Sequence, residues 1–373
     1  MKFPKNGNLA KLVAFFLISA VLMATIALSA SGWNEFDDGP DSGNFEDGKK
    51  PSIDNSDENK DGQSEGDDIP VVAPKPVYTH YITGLEINEE DTLIRPMCVV
   101  IDPSAPMYGV SSSFMTVEIP VEDGKTRFMI FTNDATSLGK LGSIAPTRKY
   151  ISNIAGYLGG VTVSIGCDDS FDYAGISQSS PSIDFTSITG YHYTEYGEYC
   201  YTNADLLRAY VKNNSISTVM TSVPTAPYNF ATESLSADLS DSVARTVLIS
   251  HSQANTTEFT YSEADGRYYM SKNGNALSDL LNDKQLAYDN LFVLLADSVT
   301  YETSTATQSV IDTMSGGKGY YISDGKLSEI TWAKDSSGSL VFLNSDGERL
   351  TVNPGHSYVG FTKSSQAGDL KFN

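Results

Sequence analysis

The sequence predicts an α+β protein: an N-terminal α/β domain with a mixed sheet, then a C-terminal domain that is mostly antiparallel β. Two observations carry this. Residues 124–170 read as a buried strand, a polar loop, a helix and a second buried strand, the strand–helix–strand unit of an α/β sheet. Past about residue 225 the pattern changes to short apolar runs separated by turns such as Asn273-Gly274, Asp324-Gly325 and Asp346-Gly347. Asn-Gly and Asp-Gly between apolar runs are hairpin signals. The chain divides accordingly into residues 1–33, an acidic linker at 34–76, the α/β domain at 77–225 and the β-rich domain at 226–365.

Residues 1–33 set the compartment. Lys2, Lys5 and Lys11 precede the apolar run Leu12–Leu28, and small residues Ser29-Ala30-Ser31-Gly32 follow it. That order is a secretory signal. The run is also close to the roughly 20 residues that span a bilayer. Two readings stand, a cleaved signal peptide and a retained single membrane anchor, and both put the body outside the cytoplasm. Asn34 to Pro70 holds 13 acidic residues against three basic ones. It has too little apolar surface to offset the entropy of ordering, and like charges keep it extended. It reads as a disordered spacer between the anchor and a body that begins near Val77.

Within the body, Met97–Ile101 is a continuous apolar run of strand length, expected to be buried on both faces. Phe114–Val121 and Thr126–Phe131, joined by Glu122-Asp123-Gly124, predict a hairpin. Ser143–Thr147 leads into a helix with Ile151, Ile154, Ala155 and Leu158 on one face. Gly159-Gly160 stops it, and Val161–Ile165 is the next strand. Residues 168–200 read as irregular. Thr202-Asn203 caps a second helix, Ala204–Lys212. Nine further strands are expected: Ala244–Ser250, Thr257–Ser262, Arg267–Lys272, Leu291–Ala296, Gly319–Ser323, Leu327–Ala333, Leu340–Asn344, Arg349–Val352 and Tyr358–Phe361.

A net charge of −22 over 373 residues excludes nucleic acid and anionic lipid surfaces as partners of the body. Membrane contact is left to the N-terminal segment. Cys98, Cys167 and Cys200 are an odd, scattered set, not a disulfide framework. Cys98 reads as a core residue, and a Cys98–Cys167 bridge between neighbouring strands stays open. The chain has no nucleophile-elbow, zincin or phosphate-loop motif, and no cofactor is expected.

The candidate site gathers where strands end, the usual place for ligands in open α/β sheets. Asp102 ends the first strand, Arg127 interrupts an apolar strand, and Asp168-Asp169 follows the strand after the helix. Arg148, placed in the first turn of that helix, opposes its dipole and needs a carboxylate or an anionic ligand to offset it. Two readings of this set stand. One is an Arg-lined binding pocket for a polar or carboxylate-bearing ligand. The other is an ion-pair cluster that pins the strand–helix–strand unit. At least one arginine is expected to pair with Asp102 or Asp168. Asp168-Asp169 alone is too small a set for calcium, which takes six to eight oxygens, and no metal is expected. The Tyr-rich segment around His192 offers a further contact surface or simply the rim of a core.

The stretches Arg95–Asp102, Gly124–Phe128, Leu141–Arg148, Tyr201–Leu207 and Trp332–Val359 occur in the order, and with the residues, that resemble the YerB-like lipoproteins. These are extracytoplasmic proteins chiefly of Gram-positive bacteria. The resemblance covers about residues 80–362. It implies an N-terminal α/β domain, a C-terminal β-rich domain and no known reaction. This chain departs from the family pattern in three places. Serine stands where the lipobox has cysteine, Ala145 replaces one of two arginines around the start of the helix, and Ser164 replaces a histidine. The resulting expectation is a membrane-tethered or secreted envelope protein without catalysis, binding a partner protein or a wall polymer. The alternative is a hydrolase or transferase acting on a wall component. It would use Asp102 and Asp168 as acid and base, with Arg127 and Arg148 orienting the substrate.

Overall fold

A computed structural model describes residues 76–167, 181–302, 307–336 and 338–373. The acidic linker and residues 1–33 lie outside these, as do Asp168 and Asp169. Among the described residues no helix is long and apolar enough to cross a membrane.

The first half contributes β1 (Met97–Ile101), β2 (Met115–Pro120), β3 (Thr126–Thr132), β4 (Leu141–Ile144), α1 (Lys149–Tyr157), β5 (Val161–Ser164), β6 (Tyr199–Thr202) and α2 (Ala204–Asn213). The second half contributes β7 (Thr246–Ser252), β8 (Asn255–Ser262), β9 (Arg267–Lys272), β10 (Asn290–Ala296), β11 (Gly317–Ser323), β12 (Lys326–Lys334) and β13 (Ser357–Lys363). The fold is α+β: the sheet of the first part is mixed, and the second part is mostly antiparallel. β2 and β3 form the expected hairpin, Met115 opposite Phe131. β1 runs antiparallel to β3 and parallel to β5.

One 14-stranded sheet takes strands from both halves. Its central path runs β12-β11-β10-β13-β2-β3-β1-β4-β6. The joint between the halves is parallel: β13 pairs with β10 on one side and with β2 on the other. A six-stranded sheet built on β7, β8 and β9 covers part of one face. Pleating then divides each central strand between two cores. Cys98 and Val100 of β1 face a core with Tyr150, Ile151 and Ile154 of α1, together with Trp332 and Phe361. Met97, Val99 and Ile101 face Val247, Ile249, Phe259 and Met270 of the smaller sheet. Both faces of β1 are therefore buried, which is why its sequence is apolar without alternation.

Three expectations need correction. Ser143–Thr147 does not lead into the helix. Leu141–Ile144 is strand β4, paired with β6, and α1 starts at Lys149. Pro146 disfavours helical geometry at the residue before it, and Ala145 instead donates its N–H to the Val100 carbonyl at 2.8 Å. Arg148 is consequently not in the first helical turn but at the N-cap, extended at φ −133° and ψ 153°. The tract 168–200 is not irregular throughout: its described part contains Ser182–Asp184, Tyr193–Glu195 and β6. A polar hairpin, Ser298–Glu302 with Thr307–Ile311, was not foreseen. Cys98, Cys167 and Cys200 form no disulfide.

Candidate functional site

The β2–β3 hairpin loop reaches across to the smaller sheet. Asp123 and Gly124 both have positive φ, 58° and 69°. The Gly124 carbonyl accepts from Asn255 Nδ2 at 2.9 Å and from Ser252 Oγ at 3.3 Å. A side chain at 124 would place its Cβ 2.9 Å from the Ser252 Cβ, so the close approach requires glycine. Between this loop, the Asp102–Ser104 turn and the ends of β7–β9 lies a cleft of about 300 Å³. Carbon atoms make up most of its wall, and polar groups are set into it: Ser104, Thr126, Ser252, Asn255 and Asn273 offer hydroxyl and amide groups, with Asp102, Asp123, Lys125 and Lys272 at the edges and floor.

Asp102 is fully engaged. Its Oδ2 lies 3.2 Å from Arg127 Nη1, and its Oδ1 accepts from Ser104 N at 3.0 Å and from Ser104 Oγ at 2.6 Å. Arg127 and Asp102 thus come together at one end of the sheet. Arg148 is held elsewhere, by a residue that sequence reasoning did not single out. Its Nε and Nη2 contact the two carboxylate oxygens of Glu122 at 2.9 and 2.7 Å, a bidentate pair. Glu122 opens the hairpin loop that forms the cleft rim, so Arg148 braces that rim. It also supplies the carboxylate that a cation beside a helix N-terminus calls for. Asp168 and Asp169 are outside the described residues.

Beneath the cleft lies the cluster that the sequence reading missed. Glu118, in the middle of β2, is completely buried. Its Oε1 accepts from Thr126 Oγ1 at 2.6 Å and from Lys272 Nζ. Its Oε2 accepts from Thr257 Oγ1 and from the Tyr358 hydroxyl, both at 2.7 Å. His251 Nε2 stands 3.4 Å from Oε1. Burial pushes the Glu118 carboxyl up, but the Lys272 ammonium and His251 outweigh it and hold it well below the usual range. Burial, then the Glu118 charge, pushes the Tyr358 hydroxyl well above its usual value. The carboxylate and ammonium cancel, so the interior carries a neutral pair saturated by hydroxyls. Lys272 also reaches Thr257 Oγ1 at 2.9 Å and is the member of the pair that lines the cleft floor. A charge inside the apolar strand FMTVEIPV was the available signal, the same kind that singled out Arg127. Among the described residues no cluster of His, Cys, Asp and Glu could hold a metal ion.

Comparison with known proteins agrees with the architecture. Residues 82–217 match the N-terminal domain, and residues 247–359 the C-terminal domain, of a protein family of unknown function, DUF3048. The crystal structure of YerB protein from Bacillus subtilis superimposes with a TM-score of 0.67 at 19% identity, covering 79% of this chain and 99% of that one. At this identity the likeness shows the fold alone. No curated protein matches the chain. With both family models matched in order and the fold shared along nearly all of YerB, the chain belongs to the YerB-like family of unknown function.

Proposed function

We propose that this protein is a non-catalytic binding protein of the cell envelope, tethered by its N-terminal apolar segment, and that the 300 Å³ cleft receives a hydroxyl- and amide-rich segment of a wall polymer. The observation that carries this reading is the state of the carboxylates. Glu118 is completely buried, saturated by its donors and held well below the usual carboxyl range, so it is not poised to exchange a proton with a substrate, and Asp102 is committed to Arg127 and Ser104. The cleft offers side-chain hydroxyls and amides between apolar surfaces, with Lys125 and Lys272 beside them, a set that can hydrogen-bond the hydroxyl and acetamido groups of a sugar while its carbon faces pack on the apolar wall. The tether rests on the Leu12–Leu28 run with its flanking lysines, and the acidic spacer would hold the body clear of the membrane.

Calorimetry with an N-acetylglucosamine tetramer tests the cleft. Ala254 is exposed on its wall, and Ala254→Trp fills the space without touching the core. Saturable binding that weakens by at least about tenfold, or about 1.4 kcal/mol, in Ala254→Trp is the expected result. Equal binding by both proteins, or shortening of the oligosaccharide during incubation, overturns the reading.

A further inference from the structure

A second concave site lies away from the cleft, where the chain ahead of β2, the segment 284–288 and the residue before β13 meet. It has a volume of about 250 Å³ and is lined by Arg267, Lys284 and His356, with Gln285, Ser111 and Ser113 between them. In a chain with 47 acidic and 25 basic residues, two cations and an imidazole converge here with no carboxylate on the lining. Among the described residues, Lys284 is unused by the protein itself, and Arg267 is only partly satisfied. Lys284 makes no ion pair with any described residue and is exposed. Arg267 donates from Nη2 to the Ala287 carbonyl and is ion-paired through Nε with Asp289 Oδ1 at 3.5 Å, but that buried Nε makes no hydrogen bond. Asp289 turns its other oxygen to the His356 backbone N–H at 2.7 Å, behind the wall. Ser111 Oγ donates to the buried Asp279 at 2.6 Å, so the hydroxyl leaves its lone pairs to Asn282 Nδ2 and solvent.

We propose that this pocket binds a phosphate group, as a monoester or within a phosphodiester polymer. A guanidinium fork, an ammonium and an imidazole approach from three elements. That arrangement suits a tetrahedral oxyanion with several peripheral oxygens better than a flat carboxylate with two. The volume leaves room for the phosphate and a short carbon chain. The long-range field of the acidic body opposes anions, so recognition must come from these close contacts and falls with ionic strength. This site is independent of the cleft: neither shares a lining residue with the other.

The test is calorimetry at low salt with glycerol 3-phosphate and with glycerophosphoglycerol, beside acetate as a carboxylate control. Saturable binding of either phosphate is expected, and the tighter one identifies the source as monoester or diester. Lys284→Ala should weaken it by at least about fivefold, which is about 1 kcal/mol, and Lys284→Glu should abolish it. Ala254→Trp should leave it unchanged, which separates this outcome from that of the cleft. Three results overturn the proposal: no saturable phosphate binding, binding indifferent to both Lys284 variants, or acetate binding as tightly as phosphate.

Discussion

Glu118 keeps its charge at zero exposure because its donors come from five different strands: Thr126, His251, Thr257, Lys272 and Tyr358. Removing either member of a buried ion pair leaves the other unpaired, at a cost of about 3–5 kcal/mol. Glu118→Gln and Lys272→Met should each lose that much in denaturant melts. The double variant should lose less than the sum, by about 2 kcal/mol or more, since the stranded charge is then gone. Strictly additive losses would mean that the two residues stabilise the fold separately. No reading of the sequence could assemble this cluster, because its members are spread from residue 118 to 358 and meet only when the smaller sheet closes over the larger. Asp102 and Arg127 were legible for the opposite reason. Each interrupts or ends an apolar run, and strand geometry alone brings such positions to one end of a sheet. Arg148 was legible as a charge needing a partner. That partner, Glu122, was hidden in what reads as an ordinary turn.

Among the elements, legibility followed the strength of the local signal. β1 and the β2–β3 hairpin declare themselves through apolar runs and a turn. β4 does not, because Leu141-Gly142-Ser143-Ile144 has a single β-branched residue and a central Gly-Ser pair, and lies beside a helix pattern. The hairpin at Ser298–Glu302 is too rich in Thr and Ser to stand out from a loop. The two helices differ at their starts in a testable way. At α2 the Asn203 Oδ1 accepts from the Leu206 N–H at 3.0 Å, as its place before Ala204 predicts. At α1 the N-cap is Arg148, whose side chain caps nothing and instead holds Glu122. Asn203→Ala should therefore cost about 1 kcal/mol and Asn203→Gly only a few tenths, because glycine lets water reach the exposed donors. Equal losses from the two variants in urea melts would place the role of Asn203 outside capping.

At the scale of the molecule, the described residues belong to one compact unit, and its large sheet joins the halves through β13. A second tie is the segment around His80. The Tyr228 hydroxyl donates to the Ile82 carbonyl at 2.9 Å, and Gly355 N–H donates to the Thr83 carbonyl at 2.8 Å. His80 holds the turn at its centre. Its Nδ1 accepts from the Ile82 and Thr83 N–H groups at 3.3 Å each, and its ring packs on Phe114 at 4.6 Å. Protonation would remove that acceptor. Burial, with a smaller contribution from His356, lowers its pKa from 6.5 to about 4. His356 is itself held low, first by burial and then by Arg267, against the raising effect of Asp289. The unfolded chain thus takes up protons on these histidines before the folded one does. Stability is whole above pH 6.5 and falls with pH towards about 4. For His80 alone the gap amounts to about 3 kcal/mol. The upper part of this window belongs to the histidines, because the depressed carboxyls of Glu118 and Asp184 begin to contribute only near or below their ordinary values of 4.5 and 3.8. His80→Asn keeps a side-chain acceptor without a titrating proton. Urea melts from pH 7 to 5 should show the wild-type protein losing stability steadily and the variant losing markedly less. Parallel slopes for the two proteins would show that His80 is not what couples this fold to acid.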